Sequence, residues 1–422
     1  MKAIIKPGFL SGSLQVPASK SIMQRACAAA LLHSGTTTIR NPGFSDDEMA
    51  ALNVIQQLGA TIISKTEVEI IVHSKGIIPI TNSIHCGESG LAARLFIPLA
   101  ALSNQTVEVT GIGSLLQRPM HEFIKTLPQL GVQIQHQNEC LPILIKGPLV
   151  AQNIVVDGNM SSQFLSGLLF AFAFAAKGKI TIKAEGLKSK PYIDLTLQML
   201  QQFGKEISHN NYETFYINPT IIQNKDEVEL FIEADWSSAA FWIVGATMNG
   251  DVSLGNLNIN SLQADKSILS AIETATRKID FSLAQTKQQQ LFSFDFDATD
   301  CPDLFPILSV LAASANGIST IKGLHRLVHK ESNRQHSITE MLQKLGVVYE
   351  IIEDSLMITG KDTFEGATIF SYNDHRIVMA AAIAALKSNA PITILGAEAV
   401  SKSYPDFFKH LASLGIECDL SS

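Results

Sequence analysis

ITIKAEG, residues 180–186, is a short strand-like phrase whose recurrence along the chain decides the fold. It returns as TTTIRNP (36–42), VEVTGIG (107–113), VSLGNLN (252–258), STIKGLH (319–325) and ITILGAE (392–398). The central aliphatic residues are Ile39, Val109, Ile182, Leu254, Ile321 and Ile394, separated by 70, 73, 72, 67 and 73 residues. A steady period of this kind marks repeated supersecondary units, none of which can bury its apolar face alone. A second mark follows the anchors by 20 to 25 residues: Gly59, Gly131, Gly204, Gly346 and Gly415, each placed where a left-handed residue would end a helix. The fourth copy falls near Arg277 in ETATRKIDF, with no glycine, and is read as degenerate, not missing.

Each unit shares an internal grammar. A first helix, rich in small apolar residues on every side, precedes the anchor: SIMQRACAAALL, GLAARLFIPLAAL, SSQFLSGLLFAFAFAA, SSAAFWIVGATM, PDLFPILSVLAASA and DHRIVMAAAIAAL. Helices apolar all round are buried helices. After the anchor strand comes a second, amphipathic helix; in the fifth unit Ile338, Met341, Leu342 and Leu345 mark its inner face. β-branched stretches such as EVEIIV (67–72) close the unit. The expected fold is α/β, built from six repeats of about 70 residues.

A chain of 422 residues exceeds one hydrophobic core, so two or three domains are expected. An apolar content of 46% with 17% charged residues describes a globular protein. The net charge of −7 argues against nucleic acid and membrane surfaces as partners. Five separated cysteines without a CxxC pair fit a reducing compartment. MKAIIKPGFL lacks the apolar core of a signal peptide, and the longest apolar run, GLLFAFAFAA (167–176), is half a membrane span, so a cytoplasmic protein is expected.

Chemistry collects where helices begin. The first helices open with Ser19-Lys20-Ser21, Gly87-Glu88-Ser89-Gly90, Ser161-Ser162-Gln163, Asp235-Trp236-Ser237, Asp300–Asp303 and Asn373-Asp374-His375-Arg376. Capping accounts for many of the Ser, Asp and Asn residues. It does not account for the amide of Gln163, nor for Lys20 or Arg376, because a cation in the first turn opposes the helix dipole. Cations there make sense beside a bound anion. The second helices open with Arg118-Pro119, Ser189-Lys190-Pro191-Tyr192, KESNR (330–334) and Lys402–Pro405. Lys330 and Arg334, four apart, are expected on one helix face with the carboxylate of Glu331 beside them. Several arginines imply a small ligand with more than one anionic group. GIGSLL (111–116) lacks the last glycine of a dinucleotide fingerprint, and no carboxylate or cysteine completes a metal set around His325 and His329.

VPASKSIMQRA (16–26), CGESGLAAR (86–94), QRP (117–119), VDGNMSSQFL (156–165), SKPYID (189–194), KESNR (330–334), YNDHR (372–376) and SKSYPDFF (401–408) occur in this order along the chain. With these motifs it resembles the EPSP synthase (3-phosphoshikimate 1-carboxyvinyltransferase) family of enolpyruvyl transferases over essentially its whole length. The resemblance implies two inside-out α/β prism domains, each of three βαβαββ units with buried parallel helices. One would comprise residues 1–19 with 235–422, the other 20–234, with the active site in the cleft between them.

It further implies transfer of the enolpyruvyl group of phosphoenolpyruvate to shikimate 3-phosphate, with no metal or organic cofactor, by a monomer. Shikimate 3-phosphate would be held by Lys20, Ser21, Arg25, Ser161, Ser162, Gln163, Ser189, Tyr192, Asp303 and Lys330. Phosphoenolpyruvate would be held by Lys20, Gly90, Arg94, Arg118, Gln163, Glu331, Arg334, His375, Arg376 and Lys402. Asp303 is assigned as base, with Glu331 and Lys20 as its proton-handling partners. The chain departs from the family pattern at Glu88, Leu91 and Leu95 in the glycine-rich loop, which bears on glyphosate sensitivity, and at Arg326 and Asn333. Two rival readings are a UDP-N-acetylglucosamine enolpyruvyl transferase, which normally has a reactive cysteine before its Arg-Pro where GIGSLLQRP has none, and a non-catalytic repeat scaffold, which would not need the internal cations.

Overall fold

The structure, a computed structural model, describes residues 1–159, 161–219, 226–278, 286–328 and 330–421. The chain forms two compact units, one of Met1–Pro17 with Ala234–Ser422, the other of Ala18–Glu233.

In the unit of residues 18–233, the helices Lys20–Leu32, Gly90–Ala100 and Ser162–Ala175 pack on one another. Nearly every residue of the first two is buried, as their unbroken apolar character requires. Burying each large aliphatic or aromatic side chain contributes roughly 1.5–3 kcal/mol. Around these helices lie three four-stranded sheets, each built on one anchor strand: Gly35–Arg40, Thr106–Thr110 or Ile180–Glu185. Each anchor pairs in parallel with one neighbour and antiparallel with another, so Ile39, Val109 and Ile182 all point inward and are wholly buried.

The other unit repeats the plan with inner helices Trp236–Asn249, Phe305–Ser314 and His375–Ala384 and anchor strands Gly250–Gly255, Ile318–Lys322 and Ile392–Leu395. Two strands exchange places in sequence. Leu10–Gln15 precedes the first repeat yet pairs with the anchor of the fourth, while Glu227–Phe231 precedes the fourth yet pairs with the anchor of the first. The strand Lys2–Ile5 completes the sixth sheet between Ile392–Leu395 and Cys418–Ser421.

The five spaced glycines adopt positive φ, from 69° at Gly204 to 112° at Gly59. Arg277 takes the equivalent place in the fourth unit as a left-handed cap of the helix Ile268–Thr276, with φ 57°. Its guanidinium lies over the Phe292 ring, 4.0 Å from the centroid. Part of the ETATRKIDF stretch, from Ile279 to Phe281, lies outside the described residues, as do Met160 and His329.

Candidate active site

In the unit of residues 18–233, Lys20 is the first residue of its helix, and its Nζ donates to Asp47 Oδ2 at 2.9 Å. The cation at this N-terminus is therefore balanced by a carboxylate from the neighbouring helix, Asp46–Gln57. Arg25, wholly buried, braces its own helix, Lys20–Leu32, to the helix Lys190–Gln202: Nε donates to Thr196 Oγ1 at 2.9 Å, Nη1 to the Ser21 carbonyl at 2.9 Å and Nη2 to the Tyr192 carbonyl at 3.0 Å. These acceptors are neutral, and burial lowers the guanidinium to about 10.

Ser161 caps Ser162–Ala175 by accepting the Gln163 N–H, so the capping role expected of it is real. Ser189 opens the helix that carries Tyr192 with a left-handed backbone, φ 55°, a conformation that costs a non-glycine residue roughly 1–3 kcal/mol and clusters at functional positions. Arg94 donates to the carbonyls of Gly90 and Pro119 at 3.3 and 3.1 Å. Gly90 lies so close to Arg118 that a Cβ there would overlap the Arg118 guanidinium.

In the other unit, Asp303, Lys330, Glu331, Arg334 and Arg376 converge. The sequence expectation of Lys330 and Arg334 on one helix face requires correction. Asn333 caps the helix Arg334–Lys344 by accepting the His336 N–H, so the helix begins at Arg334 and Lys330 precedes it. The two cations meet at an acceptor instead: Lys330 Nζ and Arg334 Nη1 both donate to Asp303 Oδ1, at 3.3 and 2.7 Å. Arg376 Nη2 donates to Asp303 Oδ2 at 3.1 Å. Asp303 sits in a short 3-10 turn, Pro302–Leu304, ahead of the inner helix that begins at Phe305.

Burial would raise the Asp303 carboxyl, but Arg376, Lys330 and Arg334 outweigh it and hold the group well below the usual carboxylate range. Burial would lower Arg334, yet Asp374, Glu331 and Asp303 push it well above its ordinary value. Burial also lowers Lys330, against the pull of Asp303. Glu331 accepts from Arg334 Nη2.

The sequence predicts Asp374 as a helix cap. It does accept the Arg376 N–H, at 3.0 Å, but it also accepts Arg334 Nε at 2.8 Å and the Ser332 hydroxyl at 3.0 Å. Its place inside YNDHR was the available signal; the pairing with a residue 40 positions earlier was not visible locally. Asp265 was also missed. It accepts from the Ser237 hydroxyl and lies 4.0 Å from Arg376, and burial raises its carboxyl to about 7 against the attraction of that arginine.

The preceding Tyr372 and Asn373 are both left-handed, φ 53° and 57°, turning the chain so that the helix bearing His375 and Arg376 begins beside this cluster. Lys402 Nζ reaches the Asn373 carbonyl at 2.7 Å. Its segment is anchored by Tyr404, whose hydroxyl accepts from Trp242 Nε1 at 3.1 Å. His325 pairs through Nδ1 with Asp354 at 2.8 Å.

The architecture is that of the enolpyruvyl transferases. The chain superposes on the enolpyruvyl transferase NikO from Streptomyces tendae with a TM-score of 0.76, over 99% of this chain and 98% of that one; at 15% identity this is a likeness of fold alone. On an EPSP synthase from Acinetobacter baumannii the TM-score is 0.81 at 27% identity, over 99% and 100% of the two chains. A 3-phosphoshikimate 1-carboxyvinyltransferase of Clostridium acetobutylicum is 37% identical over 415 residues, 97% of this chain and 96% of that protein. One from Clostridium novyi is 35% identical over 97% of each chain. The family model for EPSP synthase (3-phosphoshikimate 1-carboxyvinyltransferase) matches residues 4–411. The chain belongs to that family.

Proposed function

We propose that this protein transfers the enolpyruvyl group of phosphoenolpyruvate to the 5-hydroxyl of shikimate 3-phosphate and releases phosphate. The observation that carries the reading is the cluster of Lys330, Arg334 and Arg376 around the Asp303 and Glu331 carboxylates: cations for a multiply anionic ligand, with groups able to move protons among them. Family membership supplies the substrates.

Protonation of the enol methylene carbon develops positive charge at its neighbour, which the 5-hydroxyl attacks as it loses its proton, giving a tetrahedral ketal. Removal of a proton from the new methyl group then expels phosphate with its C–O electron pair and leaves the enol ether. Asp303 serves as the base at the hydroxyl, with Glu331 and Lys20 handling protons at the carbon. The cations around Asp303 hold it ionised and so able to accept a proton. In this reading phosphoenolpyruvate is held by Gly90, Arg94, Arg118, Gln163, Glu331, Arg334, His375, Arg376 and Lys402, and shikimate 3-phosphate by Ser21, Arg25, Ser161, Ser162, Gln163, Ser189, Tyr192, Asp303 and Lys330, with Lys20 serving both. The protein works as a cytoplasmic monomer without metal or organic cofactor.

Phosphate release from phosphoenolpyruvate, measured with shikimate 3-phosphate and separately with UDP-N-acetylglucosamine as acceptor, tests the reading. Release with the first alone is expected; release with the second alone would replace it.

A further inference from the structure

Arg334 has two kinds of carboxylate partner. The Nε and Nη2 edge of its guanidinium lies against Asp374, with Nε to Oδ2 at 2.8 Å and Nη2 to Oδ1 at 3.4 Å. Neither side chain of that pair is exposed. Asp374 is also tied to Ser332 and to the first turn of the helix bearing Arg376, so it fixes three segments at once. The Nη1 and Nη2 edge is shared by Asp303 and Glu331, whose side chains are 22% and 21% exposed. Asp303 bridges from there to Arg376.

A bidentate oxyanion needs two parallel N–H groups of one guanidinium. The edge toward Asp374 is sealed, and the other edge is already taken by the partly exposed Asp303 and Glu331. An anion can therefore bridge Arg334 and Arg376 only by entering where Asp303 now sits. The exchange replaces one anion by another, so the Nη1 side of the buried Arg334 keeps an anionic partner throughout.

We infer that Asp374 is a positioning residue that fixes Arg334, and that Asp303 is a replaceable occupant of the anion position between Arg334 and Arg376, displaced when a substrate oxyanion binds. Once displaced, the Asp303 carboxylate loses its arginine partners and becomes a stronger base, beside the anion that displaced it. The inference rests on the proposal above that these arginines hold phosphoenolpyruvate.

Calorimetric titration with inorganic phosphate and with phosphoenolpyruvate, without an acceptor, tests it on the wild-type protein and on Asp303→Asn and Asp374→Asn. Asp303→Asn should bind both anions about tenfold more tightly or better, the worth of one charge-assisted hydrogen bond no longer competed for. Asp374→Asn removes the same charge from the same guanidinium but should bind both about tenfold more weakly, with Asp374→Glu restoring part of the loss. Equal tightening in Asp303→Asn and Asp374→Asn would reduce the effect to net charge and overturn the inference. So would unchanged or weaker binding in Asp303→Asn, or no binding of either anion by any variant. Should circular dichroism show Asp374→Asn unfolded, Ser332→Ala, which drops one hydrogen bond to Asp374, should weaken both anions; unchanged affinity would remove the positioning role. Phosphate binding needs no turnover. Shifts as stated with no enol ether formed would remove the enzyme reading and keep the exchange, and the converse result would remove the exchange alone.

Discussion

Arg334 and Asp374 form a wholly buried ion pair, Nε to Oδ2 at 2.8 Å, between the start of an outer helix and the cap of an inner one. Removing one member of such a pair leaves an unpaired buried charge and costs about 3–5 kcal/mol. Asp374→Ala should lose that much stability in urea unfolding. A loss under about 1 kcal/mol would show that the pair is not sealed from water.

Stability should depend on pH through Asp303. Burial opposes its ionised form, but Arg376, Lys330 and Arg334 prevail, so its folded-state pKa lies below its unfolded value. Its stabilising contribution is therefore present above about pH 4 and is lost as pH falls through the folded value. The stability difference between the wild-type protein and Asp303→Asn should be greatest near neutral pH and shrink below about pH 4. A gap that widened in acid would reverse the sign of this argument.

Gly90→Ala places a methyl group on the Arg118 guanidinium and crowds Arg94. The fold should survive, because the obstructing atoms are ends of flexible side chains. Apparent KM for phosphoenolpyruvate should rise, while that for shikimate 3-phosphate changes little. Equal rises in both would mean that Arg118 does not serve phosphoenolpyruvate specifically.

Arg277 stands left-handed where the other units have glycine. Arg277→Gly loses the contact with Phe292, worth about 0.5–1 kcal/mol, but gains about as much from relief of the backbone. Arg277→Ala loses the contact and keeps the strain. Thermal unfolding should rank the glycine variant about 1 kcal/mol above the alanine variant; the opposite order would show that the left-handed turn costs nothing.

The repeats were legible because they are local: an aliphatic anchor, a buried helix and a turn residue recur at a steady interval, and Ile39 and Ile321 fall at the same point of their sheets. The fourth unit hid its turn because Arg277 can hold a left-handed cap when a ring lies beneath it. Cations at helix starts were legible because they oppose the dipole, as at Lys20 and Arg376. What the cations touch was not. Lys330 looked helical from its spacing to Arg334, yet Asn333 begins the helix later, and the two meet only through Asp303. Asp47 and Asp374 carry the charge that balances Lys20 and Arg334, and each comes from another helix. Such pairings are set by packing, which no spacing along the chain records.

The most direct test of the central claim follows phosphoenolpyruvate and shikimate 3-phosphate by proton and phosphorus NMR in the presence of the protein. Enolpyruvyl transfer predicts a vinyl ether on the 5-oxygen of shikimate 3-phosphate, formed in equal amount with inorganic phosphate. Phosphate released without the ether, or no change in either substrate, would contradict it.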